Sequence, residues 1–239
     1  MNLLAGLDID VDLAALYQQL GYPDRESVSD AVREVCEVQL PRLERFIEPW
    51  GAWREIAIEG VEGGAVQLEG GRALTSGRLA HILGQATALR LVVVTLGDRI
   101  GPEVRRLMDE EGMIDAMVFD AAGTVSTHFV IRHLVERVCR EALDAGGGTT
   151  IRYGPGYTGW ALPDIEVLFS YLDPEELPLR LTEQLTMLPE KSVLNVVGLT
   201  PGGKRSADLV PCRICDLQNC TVRRVPYGAS AGDGEARSA

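Results

Sequence analysis

The sequence predicts an α+β fold, and three observations predict it. Apolar residues alternate over residues 54–69, where Ile56, Ile58, Val61, Val66 and Leu68 flank Gly63-Gly64 in a hairpin pattern. From Met113, the positions Ile114, Val118, Ala121, Val125 and Phe129 recur at three- and four-residue intervals and continue past Leu134 and Val138 to Leu143, so one long helix is expected. Strands and helices do not alternate regularly along the chain, which disfavours a doubly wound sheet.

Taken in order, Val11 to Leu20 reads as a short helix closed by Gly21-Tyr22-Pro23. Val28, Val32, Val35, Cys36 and Leu40 mark a second helix, interrupted at Pro41 and resuming from Leu43 to Ile47. After the hairpin, Ser76 caps a helix through Leu79, Ile82 and Leu83, and the β-branched run Leu91 to Thr95 suits a central strand. Helix returns from Asp98 to Asp109, and Gly146-Gly147-Gly148 stops the long helix. Pro163-Asp164 opens a helix toward Leu172, and Val193 to Leu199 reads as an interior strand. The segment 227–239 is rich in Gly, Ala and Ser and is expected to be disordered. The rest, residues 1–226, is expected to form a single domain with N-terminal helices over 1–50.

A chain of 239 residues with 46% hydrophobic content can bury a full core. Its formal net charge of −12 would repel nucleic acid phosphates, so no nucleic acid partner is expected. The N-terminus lacks a basic region and does not read as a secretory signal, and the apolar run Leu91 to Leu96 is far shorter than the roughly 20 residues a membrane helix needs. A cytoplasmic location and no membrane partner are therefore expected.

The most chemically pointed stretch is Thr149-Thr150-Ile151-Arg152-Tyr153-Gly154-Pro155-Gly156-Tyr157. A guanidinium offers a rigid fork of donors to a carboxylate, and glycines allow a ligand close to backbone N–H groups. The face of Tyr157 attracts a cation such as a sulfonium. Downstream, Leu181-Thr182-Glu183, Met187, Pro189 and Ser192 keep a fixed spacing, and upstream stand Leu91-Val92-Val93-Val94-Thr95-Leu96-Gly97 and Asp120-Ala121-Ala122-Gly123-Thr124. Glu183 is read as a turn-fixing residue more than as an acid.

These motifs, in this order, resemble the activation domain of cobalamin-dependent methionine synthase, over roughly residues 5 to 225. The pattern is most similar to stand-alone activation-domain proteins with an added cysteine cluster. The resemblance implies a curved, mainly antiparallel sheet surrounded by helices. It also implies a site for S-adenosylmethionine in which Arg152 holds the carboxylate, Gly154 and Gly156 contact the ligand, and Tyr157 lies close to the transferable methyl. Tyr157 is thereby the candidate catalytic residue. His128 aligns with the family's ligand-contacting glutamate and Val197 with its tyrosine, so both positions depart from the pattern.

The implied activity is reductive reactivation. The methyl of S-adenosylmethionine passes to the cobalt of a cobalamin carried by a partner, a methionine synthase or another corrinoid protein, while an electron donor supplies the reducing equivalent. His81-Ile82-Leu83-Gly84 imitates part of a cobalt-ligating motif, but Leu79 occupies its aspartate position and the reading is rejected.

Cys36 and Cys139 fall in helical patterns, whereas Cys212, Cys215 and Cys220 crowd one loop, 211–224. In a reducing compartment such a triplet points to metal, either an iron–sulfur cluster or zinc, with Arg213, Arg223 and Arg224 lowering the thiol pKa values. The alternative function is a metal-binding electron-transfer or docking module for a corrinoid protein, without S-adenosylmethionine binding.

Overall fold

The structure, a computed structural model, describes residues 3–4, 7–173, 175, 177–202, 218, 225 and 227. The expected Cys212, Cys215 and Cys220 cluster and the tail 228–239 lie outside the described residues. Six helices are seen among those described: α1 (Leu13–Gln19), α2 (Asp30–Leu43), α3 (Gly77–Leu83), α4 (Ile100–Glu110), α5 (Met113–Asp144) and α6 (Asp164–Phe169). The strands are β1 (Trp50–Glu62), β2 (Ala65–Leu68), β3 (Arg72–Thr75), β4 (Ala88–Thr95), β5 (Gly148–Thr149), β6 (Arg180–Leu181), β7 (Met187–Leu188) and β8 (Ser192–Thr200). Six of them form one curled, open sheet in the order β3-β2-β1-β4-β8-β5, and β6 pairs with β7 separately.

Neighbours in the main sheet run antiparallel. Ile58 donates to Thr87 O while Glu48 donates to Leu96 O, so residue numbers fall on one side as they rise on the other. The same holds for β4 against β8, through Leu96 N to Lys191 O and Thr87 N to Leu199 O. The expected α+β class with a curved antiparallel sheet is therefore correct.

Local chemistry explains the elements. Asp12, Ser29 and Ser76 cap α1, α2 and α3, each accepting from a backbone N–H in the first turn. Gly63 and Gly64 have φ of +60° and +80°, which only a glycine pair adopts without strain, and they close the β1–β2 hairpin with Glu62 opposite Ala65. Ser126 and Thr127 are buried inside α5 because their hydroxyls donate to Ala122 O and Gly123 O, 2.9 and 2.8 Å away.

Two expectations are corrected, and α5 adds an observation. Helix α2 continues through Pro41 and stops at Leu43, because a proline in the last turn sacrifices only one bond near the helix end. Gly148 does not merely follow the long helix but starts β5, pairing with Thr200. Helix α5 is long and apolar enough to meet the length and composition of a membrane span, a feature that uninterrupted apolar runs did not show. Most of that stretch is buried within the protein.

Among the described residues the chain forms two compact units, each built from separated stretches: those up to 52, 92–134 and those of 172–194 in the first, and 53–91, 135–171 and those from 195 on in the second. The first buries Leu16, Cys36, Leu43, Leu107, Phe119 and Ile131, and Phe46 meets Phe119 edge-on at 5.5 Å. The second buries Ile56, Leu68, Leu74, Leu83, Leu168 and Val197. Cys36 and Cys139 are buried thiols; the Thr149 hydroxyl donates to Cys139 Sγ at 3.3 Å, and burial raises the pKa of Cys36.

Candidate functional site

The second unit holds the Arg152 loop. Tyr153 exchanges both backbone bonds with Val196 of β8 (3.0 and 2.7 Å), which docks the start of the loop on an interior strand. Thr150 N donates to Gly198 O and Gly198 N donates to the Thr150 hydroxyl, both at 2.9 Å. Arg152 is half-buried, and its Nη1 donates to Oδ1 of Asn195 at 3.3 Å. Asn195 is itself buried to 1% exposure, so its amide is a fixed acceptor that orients the guanidinium.

Beyond Arg152 the chain makes a tight turn. Tyr157 N donates to Gly154 O, Trp160 N to Tyr157 O and Gly156 N to Trp160 O, at 3.1, 2.9 and 2.9 Å. Gly156 is exposed with φ of +86°, a conformation that side chains resist. The turn is stiffened from within, since the Tyr153 hydroxyl donates to Thr158 O and Trp160 Nε1 donates to Asp164 Oδ2 at 2.7 Å. Tyr153 stacks on Trp160 at 6.0 Å and meets Tyr157 edge-on at 5.5 Å. Ser76, the α3 cap, also donates to Gly159 O at 2.6 Å.

The structure thus brings Arg152, Gly154, Gly156 and Tyr157 into one loop. It corrects one detail: the N–H groups of Gly156 and Tyr157 are bonded inside the turn, so the glycines do not present those two amides to a ligand. The carbonyl oxygens of the turn, each with two lone pairs, keep accepting capacity that suits a cation. His128 sits half-buried in the middle of α5, in the first unit. Val197 is fully buried in β8.

The first unit contains a cleft of about 960 Å³ that no motif announced. Trp50, Thr95, Gly97 and Leu179 line it, with Arg105, Arg180 and Lys191 opposed by Glu48, Asp98 and Glu190. Glu48 is paired with Arg99 at 3.2 Å and Lys191 with Asp120 at 2.8 Å. Nearby, Thr182 closes the β6–β7 turn, its hydroxyl accepting from Thr186 N at 3.1 Å, so the turn-fixing bond expected of Glu183 is made by its neighbour. His81 is an exposed residue of α3, in accord with its rejection as a ligand.

Asn195, Trp160 and Asp164 were not anticipated as site residues. A signal existed for Asn195, a polar residue within the apolar run Val193 to Val197. No family model and no curated protein matches the sequence. Among solved structures, the crystal structure of a MetH reactivation domain bound to AdoHcy is similar, with a TM-score of 0.60 and 16% identity over 81% of this chain and 75% of that one. A likeness at this identity establishes the fold.

Proposed function

We propose that this chain binds S-adenosylmethionine at the Arg152–Tyr157 loop and presents its methyl group to a cobalamin carried by a partner, thereby reactivating a methionine synthase or a related corrinoid protein. The observation that carries the reading is the guanidinium of Arg152, half-buried and steered by Asn195, in a fold shared with a reactivation domain that binds AdoHcy. The residues fit such a ligand. Arg152 suits the carboxylate, the exposed Gly156 leaves no Cβ over the turn, and the ring of Tyr157, braced by Tyr153, offers a face to a sulfonium.

The partner's corrinoid supplies the reducible cobalt that accepts the methyl group, an electron donor supplies the electron, and S-adenosylhomocysteine is the other product. This chain's part is positional. Arg152 anchors one end of the donor, and a stiff turn holds the other groups, so an encounter between two molecules becomes a reaction within one complex.

Calorimetric titration with S-adenosylmethionine tests the site. Arg152→Ala removes a charge-assisted bond worth ~1.5–3 kcal/mol, a loss of about ten- to a hundredfold in affinity. Unchanged affinity in that variant would refute the assignment. We further propose that Cys212, Cys215 and Cys220 bind an iron–sulfur cluster or zinc; among the described residues no group of three His, Cys, Asp or Glu side chains forms a metal site. Anaerobic purification with metal analysis of wild type and Cys215→Ser checks this. A metal-loaded protein that gives no heat with S-adenosylmethionine would instead support the electron-transfer or docking role.

A further inference from the structure

We propose that the apolar face at the α4–α5 junction of the first unit is a docking surface for a basic amphipathic helix of a partner protein. Five of the eight large hydrophobic side chains exposed among the described residues gather here: Val38 at 57%, Met108 at 52%, Met113 at 64%, Ile114 at 48% and Met117 at 52%. Met113 and Met117 are one turn apart on α5, Ile114 lies on the same side of that turn, and Met108 precedes the Gly112 break by one turn. Val38 joins them because Gln39 Nε2 donates to Asp115 Oδ1 and Arg42 Nη1 to Glu111 Oε2, both at 2.8 Å, which fastens this part of α2 to the junction.

Two properties select the occupant. Three of the chain's five methionines sit on this face, and methionine's flexible thioether repacks against varied apolar anchors, as grooves that accept amphipathic helices require. The frame is acidic. Glu34, Glu37, Asp109, Glu110 and Glu111 are exposed around the face and Asp115 is half-exposed, while the guanidiniums of Arg42 and Arg106 pair within that set. Apolar centre and anionic rim together match a helix with apolar anchors at i, i+3 or i+4, and i+7, flanked by Lys or Arg. The same rim repels an anionic lipid surface. The inference does not depend on the methyl-donor reading.

The test titrates the full chain into a fluorescently labelled synthetic Leu/Lys amphipathic peptide, with a Leu/Glu peptide of the same pattern as control. The expected result is saturable binding of the Lys peptide that the double variant Met113→Gln, Met117→Gln weakens by at least about tenfold, although it leaves the charge intact. Glu37→Lys with Asp109→Lys weakens it as well. These side chains are exposed, so circular dichroism and the urea midpoint stay unchanged. Affinity within about twofold of wild type in the Met→Gln variant means diffuse charge attraction and overturns the proposal. Equal binding of the Glu peptide overturns it too. Self-association by sedimentation, or flotation with neutral phosphatidylcholine vesicles, either of them abolished by the Met→Gln pair, would assign the face to a second copy or to lipid instead.

Discussion

Replacing Gly198 by alanine adds one methyl where the second unit has no room. A Cβ built there stands 2.6 Å from Leu83 Cδ2, 2.9 Å from Thr150 Cγ2 and 3.0 Å from Ala86 Cβ. Only the leucine terminus can rotate away, and Leu83 is fully buried with its own neighbours. The other two contacts are fixed close to the backbone, so β8 and the Thr150 segment must separate, straining two 2.9 Å hydrogen bonds. Inserting a methyl into such a site costs ~1–3 kcal/mol. The strained bonds place the value near the upper end, about 2–3 kcal/mol. For a chain of this length, that lowers the Tm by roughly 4–12 °C. Urea unfolding followed by circular dichroism measures it, and Gly60→Ala is the matched control, since a Cβ there meets nothing within 4 Å. A Gly198→Ala cost below about 0.5 kcal/mol, or equal to that of Gly60→Ala, would refute the packing argument.

The loop should respond to its buried acceptor and α4 to its buried acid. Asn195→Ala removes an acceptor that orients the guanidinium, and because the bond is long at 3.3 Å the expected loss is about 1 kcal/mol of S-adenosylmethionine affinity, checked by the same calorimetry as Arg152→Ala. Glu103, buried, accepts from Arg106 at 2.7 and 3.0 Å and from Arg42 at 2.8 Å, and the hydrogen bonds from Arg106 hold its pKa below the ordinary carboxylate value. A lowered folded pKa means stability that is present above the unfolded pKa of about 4.3 and is lost as pH falls through the folded value. Glu103→Gln should therefore cost ~1.5–3 kcal/mol at pH 7, and the gap from wild type should close on acidification, as urea midpoints across pH will record.

What the sequence made legible is what a short window contains. The β1–β2 hairpin needed only alternating side chains and Gly63-Gly64, and α5 needed only its periodicity. Strands β3 and β5 were not foreseen, because four residues and two residues carry no period and exist only by pairing, Ala73 with Gln67 and Thr149 with Leu199. The cleft was invisible for a related reason. Its walls come from residues 48–50, 95–105, 177–180 and 188–191, which nothing local links. Within the loop, Arg152 was recognisable by type and spacing, but its support was not, since Asn195 is 43 residues away and Trp160 Nε1 finds Asp164 through a fold-dependent turn.

The motifs that suggested a ligand site divide into two kinds once their contacts are known. Asp120 and Thr124, one turn apart on α5, hold the ammonium of Lys191 at 2.8 and 2.9 Å. Gly123 between them leaves room for the lysine chain, since a Cβ there would stand 3.3 Å from Lys191 Cε and from Ile100 Cγ2. Ser192 donates to Pro189 O at 2.6 Å and Thr182 closes the β6–β7 turn, so the second motif fixes the approach to β8. Each of these contacts fastens one piece of the first unit to another, and each is required whatever small molecule the protein binds. In the proposed function the ligand chemistry falls to Arg152 and the turn after it. Mutating the fastening residues would lower binding and stability together, whereas Arg152→Ala and Asn195→Ala act on the guanidinium and on an acceptor that orients it, and so separate a methyl-donor site from a shared fold.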